Sequence, residues 1–426
     1  MLDIKLIRDS PDVVRKDLEK RQDKERLKLL ENAIGLDKKR RALIKKAEDM
    51  KKTRNEITKE ISAAKSAGKS IARLMKKAKE LPGEINKLEE SLLLIDKQCD
   101  AILKVLPNIL HESVPVGKDD SENAEIRTWG KKTQLGFEPR SHVDLGLQLG
   151  LIDLERAAKI SGARFYFLKK ELVILSHSIL RFALDRLVKK GFIPIQPPYM
   201  LKREAYEGVT DMTDFETVMY KIDGEDMHLI ATSEHPIAAM YMGEKINEEE
   251  LPIKLAGISP CFRKEAGAHG KDTKGIFRVH QFDKVEQFVF CHPDDSWRMH
   301  EELLLNTEEL FRELGIPYRV VNICTGDIGT VAAKKYDIEA WLPAQNRYRE
   351  MASCSNCTDY QARRLNIKYG KKDAPATGLV HTLNNTGVAS PRVMVAIMEN
   401  FQKEDGTIEI PKVLVPYTGF GSIRSS

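Results

Sequence analysis

The stretch FRKEAGAHGKDTKGIFRVHQFDKVE, residues 262–286, concentrates charged and aromatic side chains on both sides of a loop that contains glycine. Arg263 and Glu265 are two positions apart before the loop. After the loop, five charged or aromatic side chains occupy even positions: Arg278, His280, Phe282, Lys284 and Glu286. Side chains at positions i, i+2 and i+4 share one face of a β-strand. The stretch therefore predicts a β-hairpin that carries cations, a ring and carboxylates on one face.

Such a face has the chemistry to bind a nucleotide that is joined to an amino acid. Arginine binds phosphate or carboxylate oxygens through two parallel hydrogen bonds, a ring stacks on a purine, and a carboxylate holds an ammonium group. At about 3.4 Å per residue, Phe282 and Glu286 would lie about 14 Å apart, which is close to the length of an aminoacyl-adenylate. A surface hairpin with ion pairs between its strands fits the spacing equally well.

The composition is that of a globular protein with a substantial core. The chain has 426 residues, of which 42% are hydrophobic and 31% are charged, and this length is enough for two or three domains. No apolar run approaches the roughly 18 residues that a membrane span requires. The N-terminal residues are too polar for a signal peptide. Six cysteines without such a signal indicate reduced thiols, so we expect a cytoplasmic protein.

The N-terminal third carries a heptad pattern and an excess of positive charge. Apolar residues recur at alternating spacings of four and three: Leu74, Ala78, Leu81, Ile85, Leu88, Leu92, Ile95, Cys99, Ile102 and Leu106. A similar pattern covers residues 36–64, and a short polar segment separates the two. Together they predict an antiparallel two-helix coiled coil, which we call the arm (residues 36–106).

A dimerisation coiled coil with solvated lysines is the alternative interpretation of the arm. Against it, the apolar seam can be satisfied within one chain. Residues 37–80 also hold 16 Lys or Arg against six Asp or Glu, although the whole chain has a net charge of only +5. Charge concentrated near the tip favours a polyanionic partner that is bound through its phosphate backbone.

The pattern of the remaining residues predicts a domain of mixed α and β structure. A linker-like segment covers residues 111–132, and residues 171–190 form one amphipathic helical pattern that ends at Gly191. Strand-like and helix-like segments alternate irregularly after the linker, which favours an α+β fold around an antiparallel sheet.

The hairpin sequence FRKE…GIFRVHQFDKVEQF closely resembles motif 2 of the class II aminoacyl-tRNA synthetases, and the seryl-tRNA synthetase family in particular. Four further blocks are similar to that family in the same order: MLDIKLIRDSPDVVRK (1–16), RAAKISGARFYFLK (156–169), YDIEAWLPAQNRYREMASCSNCTDYQARR (336–364) and HTLNNTGVASPR (381–392). With the arm, the resemblance covers nearly the whole chain. It implies a tRNA-binding domain at 1–112 and a class II catalytic domain at 113–426, built on an antiparallel sheet flanked by helices.

The resemblance also implies a set of site residues. Arg263, Arg278 and Arg392 would be catalytic through their charge. The serine pocket would contain Thr232, Glu234, Arg263, Glu286, Asn384 and Thr386. The ATP site would contain Arg263, Lys264, Glu265, Val279, Phe282, Glu350, Met351, Ala352, Ser353 and Arg392, with Phe282 and Arg392 on opposite faces of the adenine. Glu350 and Ser353 would bind the Mg²⁺ that accompanies ATP.

By the same resemblance, the reaction would be ATP-dependent activation of L-serine, followed by transfer to tRNA-Ser and also to tRNA-Sec. Residues 191–200 resemble motif 1, with Pro198 as its central proline, and imply a homodimer. No zinc is expected at CSNC (354–357), because a structural zinc site needs two more ligands at suitable spacing. His269 is expected to be a solvated loop residue. Alternatives are a ligase that loads a carrier protein, a non-catalytic paralogue and a coiled-coil scaffold.

Overall fold

The computed structural model describes residues 1–212, 216–265 and 274–425. The chain divides into two compact units, Met1–Ile109 and Leu110–Ser426. His269 lies outside the described residues, so its expected solvation stays a prediction. No described helix is both long enough and apolar enough to cross a membrane.

The N-terminal unit consists of four helices. They are α1 (Ile4–Asp9), α2 (Pro11–Lys20), α3 (Lys24–Ser66) and α4 (Ala72–Val105). The Asp23 side chain accepts a hydrogen bond from the backbone N–H of Arg26 and caps α3. Helices α3 and α4 pack along one another and confirm the predicted antiparallel two-helix arm.

The arm is held together at its base by apolar packing and by ion pairs between its helices. Leu30, Leu36, Cys99 and Leu103 belong to one buried cluster that also receives side chains from α1 and α2. Further along, Arg40 pairs with Asp96 and Lys51 pairs with Glu89. The middle and tip are largely exposed, so the base can form without the tip.

The C-terminal unit contains seventeen short and long strands among its described residues. They are β1 (Ala124–Trp129), β2 (Ile152–Asp153), β3 (Phe167–Leu168), β4 (Ile193–Ile195), β5 (Met200–Lys202), β6 (Met227–Leu229), β7 (Lys245–Asn247), β8 (Ile253–Phe262), β9 (Gln281–Cys291), β10 (Tyr318–Asn322), β11 (Lys334–Leu342), β12 (Arg347–Asn356), β13 (Lys368–Gly370), β14 (Gly378–Leu379), β15 (His381–Ala389), β16 (Ile408–Glu409) and β17 (Ser422–Ile423).

Nine described helices accompany these strands. They are α5 (His142–Gln148), α6 (Leu154–Ser161), α7 (Glu171–Lys189), α8 (Arg203–Val209), α9 (Glu234–Ala238), α10 (Ser296–Leu314), α11 (Tyr360–Leu365), α12 (Ser390–Asn400) and α13 (Val415–Thr418). The long helical pattern predicted for residues 171–190 is confirmed by α7, after which Gly191 adopts a φ of +84°.

The centre of this unit is an eight-stranded sheet in the order β1-β10-β11-β12-β15-β9-β8-β4. All neighbours are antiparallel except β4 and β8. Side chains alternate between its faces, so that Val285 and Val289 join one buried cluster while Phe288 and Phe290 join another. The first cluster includes α7, α10 and α12, and the second includes α8, α9 and α11. The predicted antiparallel sheet flanked by helices is thus confirmed.

The opening hairpin differs from its prediction in one respect. Strand β8 ends before Arg263, and β9 begins after Arg278. Glu265 adopts a φ of +50°, which breaks the alternation of an extended strand. The one-face argument therefore fails for Glu265 and Arg278, although Phe282 and Glu286 share one face within β9.

Candidate active site

A cavity of about 380 Å³ opens over the central strands of the C-terminal unit. Strand β9 contributes Phe282, Lys284 and Glu286 to its lining, while β12 and β15 contribute Glu350, Met351, Ser353, Asn384 and Thr386. Thr232, Glu234, Arg263 and Arg392 complete the set of predicted residues that line it. The sequence separates these side chains by up to 160 positions, and the fold brings them to one cavity.

One end of the cavity contains the residues that the resemblance places in the serine pocket. Thr386 lies directly opposite Glu286 in the β9–β15 ladder, and its Oγ1 donates to Glu286 Oε2 at 3.2 Å. Asn384 Nδ2 donates to Glu234 Oε1 at 3.1 Å, and Gln361 Nε2 donates to the same oxygen at 3.2 Å. Two carboxylates thus face this end, each already oriented by neutral donors.

Glu234 has an unusual protonation equilibrium. Burial raises its pKa to about 7, and the negative charge of Glu286 adds to the shift. The charges of Lys284 and Arg263 and the hydrogen bond from Gln361 oppose it. Glu234 therefore changes charge close to neutral pH, in a place where an incoming ammonium group would favour its ionised form.

The other end of the cavity carries arginines and a ring. The guanidinium carbon of Arg263 lies 5.3 Å from the centroid of the Phe282 ring, and its Nε donates to the backbone oxygen of Ala231 at 3.3 Å. Arg392 Nη1 lies 3.1 Å from Glu350 Oε1 and donates to the backbone oxygen of Glu350. The charge of Arg392 holds the pKa of Glu350 well below its usual range.

A neighbouring cleft of about 450 Å³ shares Glu350 and Arg392 with the cavity. Arg278 lines this cleft and not the cavity, and its Nη1 lies 2.8 Å from Glu265 Oε2. Glu265, before the loop of the opening stretch, and Arg278, after it, therefore form an ion pair. Together, the cavity and the cleft are lined by five arginines: Arg263, Arg278, Arg347, Arg349 and Arg392. Guanidinium groups suit phosphate oxygens.

The remaining predicted ATP residues have other surroundings. Ala352 and Val279 are buried, and Ala352 belongs to the core cluster of α7. Lys264 is exposed, and its Nζ lies 5.7 Å from the centroid of the Tyr220 ring. Among the described residues, these three do not line the cavity, so their side chains are not brought to the other site residues.

Comparison with known proteins accounts for this arrangement. The model of the seryl-tRNA synthetase N-terminal domain matches residues 1–110, and the model of the class II tRNA synthetase core domain (G, H, P, S and T) matches residues 217–401. A protein of Methanocella arvoryzae named serine–tRNA ligase is 56% identical over 98% of this chain and 98% of its own. The chain belongs to the seryl-tRNA synthetase family.

Solved seryl-tRNA synthetase structures have the same fold. The enzyme of Pyrococcus horikoshii, complexed with ATP, is 50% identical and superimposes with a TM-score of 0.97 over the full length of both chains. The cytoplasmic serine–tRNA ligase of Naegleria fowleri, in complex with AMP, is 37% identical with a TM-score of 0.92, covering 100% of this chain and 99% of its own. These comparisons confirm the class II fold.

Two polar residues of this site were given no role from the sequence. Lys284 shares the cavity-facing side of β9 with Phe282 and Glu286, and its even position in the opening stretch was the available signal. Gln361 reaches Glu234 from α11, and nothing in the local pattern marked it. Lys284 contacts Glu286, and Gln361 contacts Glu234, at this end of the cavity.

The two cysteines of CSNC, Cys354 and Cys357, are buried. Asn384 Nδ2 lies 3.8 Å from Cys357 Sγ, and burial raises the pKa of both thiols well above the ordinary value. No group of three or more His, Cys, Asp or Glu side chains that could hold a metal occurs in the described part of the chain. The absence of zinc stays a prediction.

Proposed function

We propose that this chain activates L-serine with ATP in the cavity, forming seryl-adenylate and pyrophosphate, and then transfers the seryl group to tRNA-Ser. The observation that carries the proposal is the pairing of two environments in one cavity. A small polar end presents Glu234, Glu286 and Thr386, and it adjoins an end where Arg263 and Arg392 are available for phosphate and carboxylate oxygens.

The polar end suits serine better than its apolar analogue. Alanine lacks only the hydroxyl group, and a site that hydrogen-bonds this group rejects alanine because its own buried polar atoms would be left unpaired. Glu286 is 1% exposed and Thr386 is 9% exposed, so water cannot readily replace the missing hydroxyl. Threonine would be excluded by the lack of room for its methyl group.

The proposed chemistry needs positioning and charge more than acid–base catalysis. A serine carboxylate oxygen attacks the α-phosphorus of ATP, the new P–O bond forms, and the bond to the departing pyrophosphate breaks. In the second step, a ribose hydroxyl at the 3′ end of the tRNA takes the seryl group and AMP leaves. Arg263, Arg278 and Arg392 would stabilise the charge that moves between these oxygens.

The donor set near Glu350 fits Mg²⁺, which prefers hard oxygen ligands. Glu350 is held ionised by Arg392, and Ser353 lines the same cavity. Asp337 lines the neighbouring cleft, and its buried Oδ1 has no hydrogen-bond partner among the described residues. This oxygen is available to accept a hydrogen bond from a water molecule of a hydrated cation. Glu350 and Ser353 would hold the ion, which when bound supplies charge neutralisation at phosphate oxygens.

The direct test is ATP–pyrophosphate exchange with Mg²⁺ and without tRNA, using serine, threonine, alanine, glycine and cysteine in turn. We expect exchange with serine and a rate near background with alanine. Exchange with a different amino acid would overturn the pocket assignment but keep the fold. No exchange from folded protein would support the non-catalytic paralogue, and serine exchange without tRNA charging would support the carrier-protein ligase.

Serine binding is expected to release a proton. Glu234, with its raised pKa of about 7, is mostly protonated at pH 6, whereas the ammonium group of serine favours its carboxylate form. The serine KM should therefore fall about tenfold per pH unit up to pH 7 and then level off. Calorimetry in two buffers of different ionisation enthalpy would measure nearly one proton released at pH 6 and few at pH 8. Equal proton counts at both pH values would contradict the assignment.

The arm is the proposed contact for the long variable arm of tRNA-Ser, recognised mainly through shape and backbone. Its exposed tip carries Lys65, Lys69, Arg73 and Lys76, which are suited to phosphate oxygens. A carrier-protein ligase would have no use for such a surface. The proposal includes tRNA-Sec as a second substrate and a cytoplasmic location.

The proposed homodimer would use the motif 1 region. Pro197, Pro198, Met200 and Met240 line an apolar groove of about 530 Å³, and Ile193 in β4 is 59% exposed at the edge of the sheet. Apolar side chains that stay exposed next to a groove are typical of an interface. Sedimentation should give a particle of about twice the 48.4 kDa chain mass.

A further inference from the structure

The serine pocket contains a buried cation that none of the roles above uses. Lys284 is 5% exposed and lines the cavity from the middle of β9. Its Nζ lies 2.5 Å from Glu286 Oε2 and donates to Thr232 Oγ1 at 2.7 Å. A lysine is rarely buried without such partners, and both of its partners belong to the proposed serine pocket.

These contacts leave Glu286 with one occupied and one available oxygen. Oε2 contacts Lys284 and also accepts the hydroxyl of Thr386. Oε1 receives no hydrogen bond from the described residues. Because Oε2 is fixed from two sides, the orientation of the whole carboxylate is fixed, and Oε1 remains for a ligand.

Lys284 also distinguishes the two carboxylates of the pocket. Glu286 is paired with a cation, whereas the Oε1 of Glu234 is held by the neutral amides of Asn384 and Gln361. The ammonium group of an amino acid therefore gains most from Glu234, which forms no ion pair with a described residue. Glu286 is left to accept a hydroxyl group, which needs an oriented lone pair and not an unpaired charge.

We propose that Lys284 is a positioning residue for serine recognition. It holds Glu286 and Thr232 in place, so that Glu286 accepts a hydrogen bond from the serine hydroxyl and Glu234 binds the serine ammonium group. This inference rests on the proposed activation of serine. It assigns to Lys284 an effect on amino-acid selectivity, and not on ATP binding, because its two polar contacts lie at the serine end of the cavity.

The test compares ATP–pyrophosphate exchange of the full-length wild type, Lys284→Met, Lys284→Arg and the control Lys254→Met. Lys254 lies in the adjacent strand β8 and also forms an ion pair with a glutamate, Glu302 of α10, but it does not line the cavity. Each variant is assayed for the KM of serine, the KM of ATP, and the ratio of serine to alanine activation.

We expect Lys284→Met to raise the serine KM about 100-fold, to reduce the serine-to-alanine ratio, and to leave the ATP KM within about threefold. Lys284→Arg keeps the charge but cannot place it at the same point, so it should show an intermediate rise of about tenfold. Lys254→Met should match the wild type. A purely structural role for Lys284 would lower the active fraction and leave both KM values unchanged.

A wild-type serine KM and selectivity in folded Lys284→Met would overturn the inference. If thermal denaturation shows that Lys284→Met does not fold, Lys284→Arg provides the test. A tenfold rise in the serine KM of Lys284→Arg supports the inference, and an unchanged serine KM and selectivity overturn it. If the wild-type protein shows no serine-dependent exchange, both the proposed function and this inference are wrong. If the wild type exchanges normally and the Lys284 variants have the same serine KM and selectivity, only the inference is wrong.

Discussion

Arg263→Ala is expected to reduce serine-dependent ATP–pyrophosphate exchange about 1,000-fold. Arg263 lines the cavity, with its guanidinium next to Phe282 and the backbone of Ala231. In the proposed mechanism it contacts both reacting groups, the serine carboxylate and the α-phosphate. Removing it would therefore weaken the binding of each substrate and the stabilisation of the transition state, which amounts to about 4 kcal/mol at 1.36 kcal/mol per factor of ten.

Two comparisons make the result at Arg263 specific. Arg263→Lys keeps the charge but loses the planar fork, so exchange should remain at least about 100-fold below wild type. Arg298→Ala removes an exposed arginine that pairs with Asp295 at the start of α10, and it should leave exchange unchanged. Near-normal exchange by Arg263→Ala, with an unaltered melting temperature in all variants, would exclude Arg263 from the reaction.

At the opening hairpin, the sequence prediction succeeded within strand β9 and failed beyond the strand ends, for different physical reasons. Alternation along an extended chain places Phe282 and Glu286 on one face of β9, because period two is a property of the strand itself. Arg263 and Arg278 lie beyond the strand ends, where the backbone at Glu265 enters the left-handed region. Local alternation cannot describe such a turn, so the one-face argument grouped Arg278 with the cavity although it lines the neighbouring cleft.

Contacts between distant segments explain what the sequence did not reveal. Lys284 was visible as a charged even-numbered residue, but its ion pair with Glu286 depends on the long side chain following the strand to the next same-side residue. Gln361 contacts Glu234 across 127 positions, through the packing of α11 near α9. The long helices of the arm were predictable because their heptad pattern is local, repeated and sustained over many turns.

Shortening the arm is expected to separate the two steps of the reaction. When residues 45–91 are replaced by a short Gly-Ser loop, the buried base with Leu36 and Cys99 and the pair between Arg40 and Asp96 are retained. Serine-dependent exchange should stay within about twofold of wild type, because every residue that lines the cavity belongs to the C-terminal unit. Charging of tRNA-Ser should fall about 1,000-fold in kcat/KM, because several phosphate contacts are lost at once.

A full-length variant separates the charge of the tip from its shape. Changing Lys65, Lys69, Arg73 and Lys76 to Gln keeps the helices and should raise the tRNA KM while reducing its dependence on salt by about 0.7–0.9 in log–log slope for each phosphate contact removed. The matched control changes four exposed lysines of the C-terminal unit, Lys159, Lys372, Lys403 and Lys412, and should preserve the slope.

The salt slope distinguishes the electrostatic proposal from a structural one. If the arm mainly supported the fold, shortening it would reduce exchange and charging equally, and the Gln variant would melt at a lower temperature without a change in slope. If the tip binds tRNA phosphates, charging becomes less sensitive to salt while exchange does not change. Assaying tRNA-Sec beside tRNA-Ser extends the test to the second substrate, because both would lose charging in parallel only if they engage the same cations of the tip.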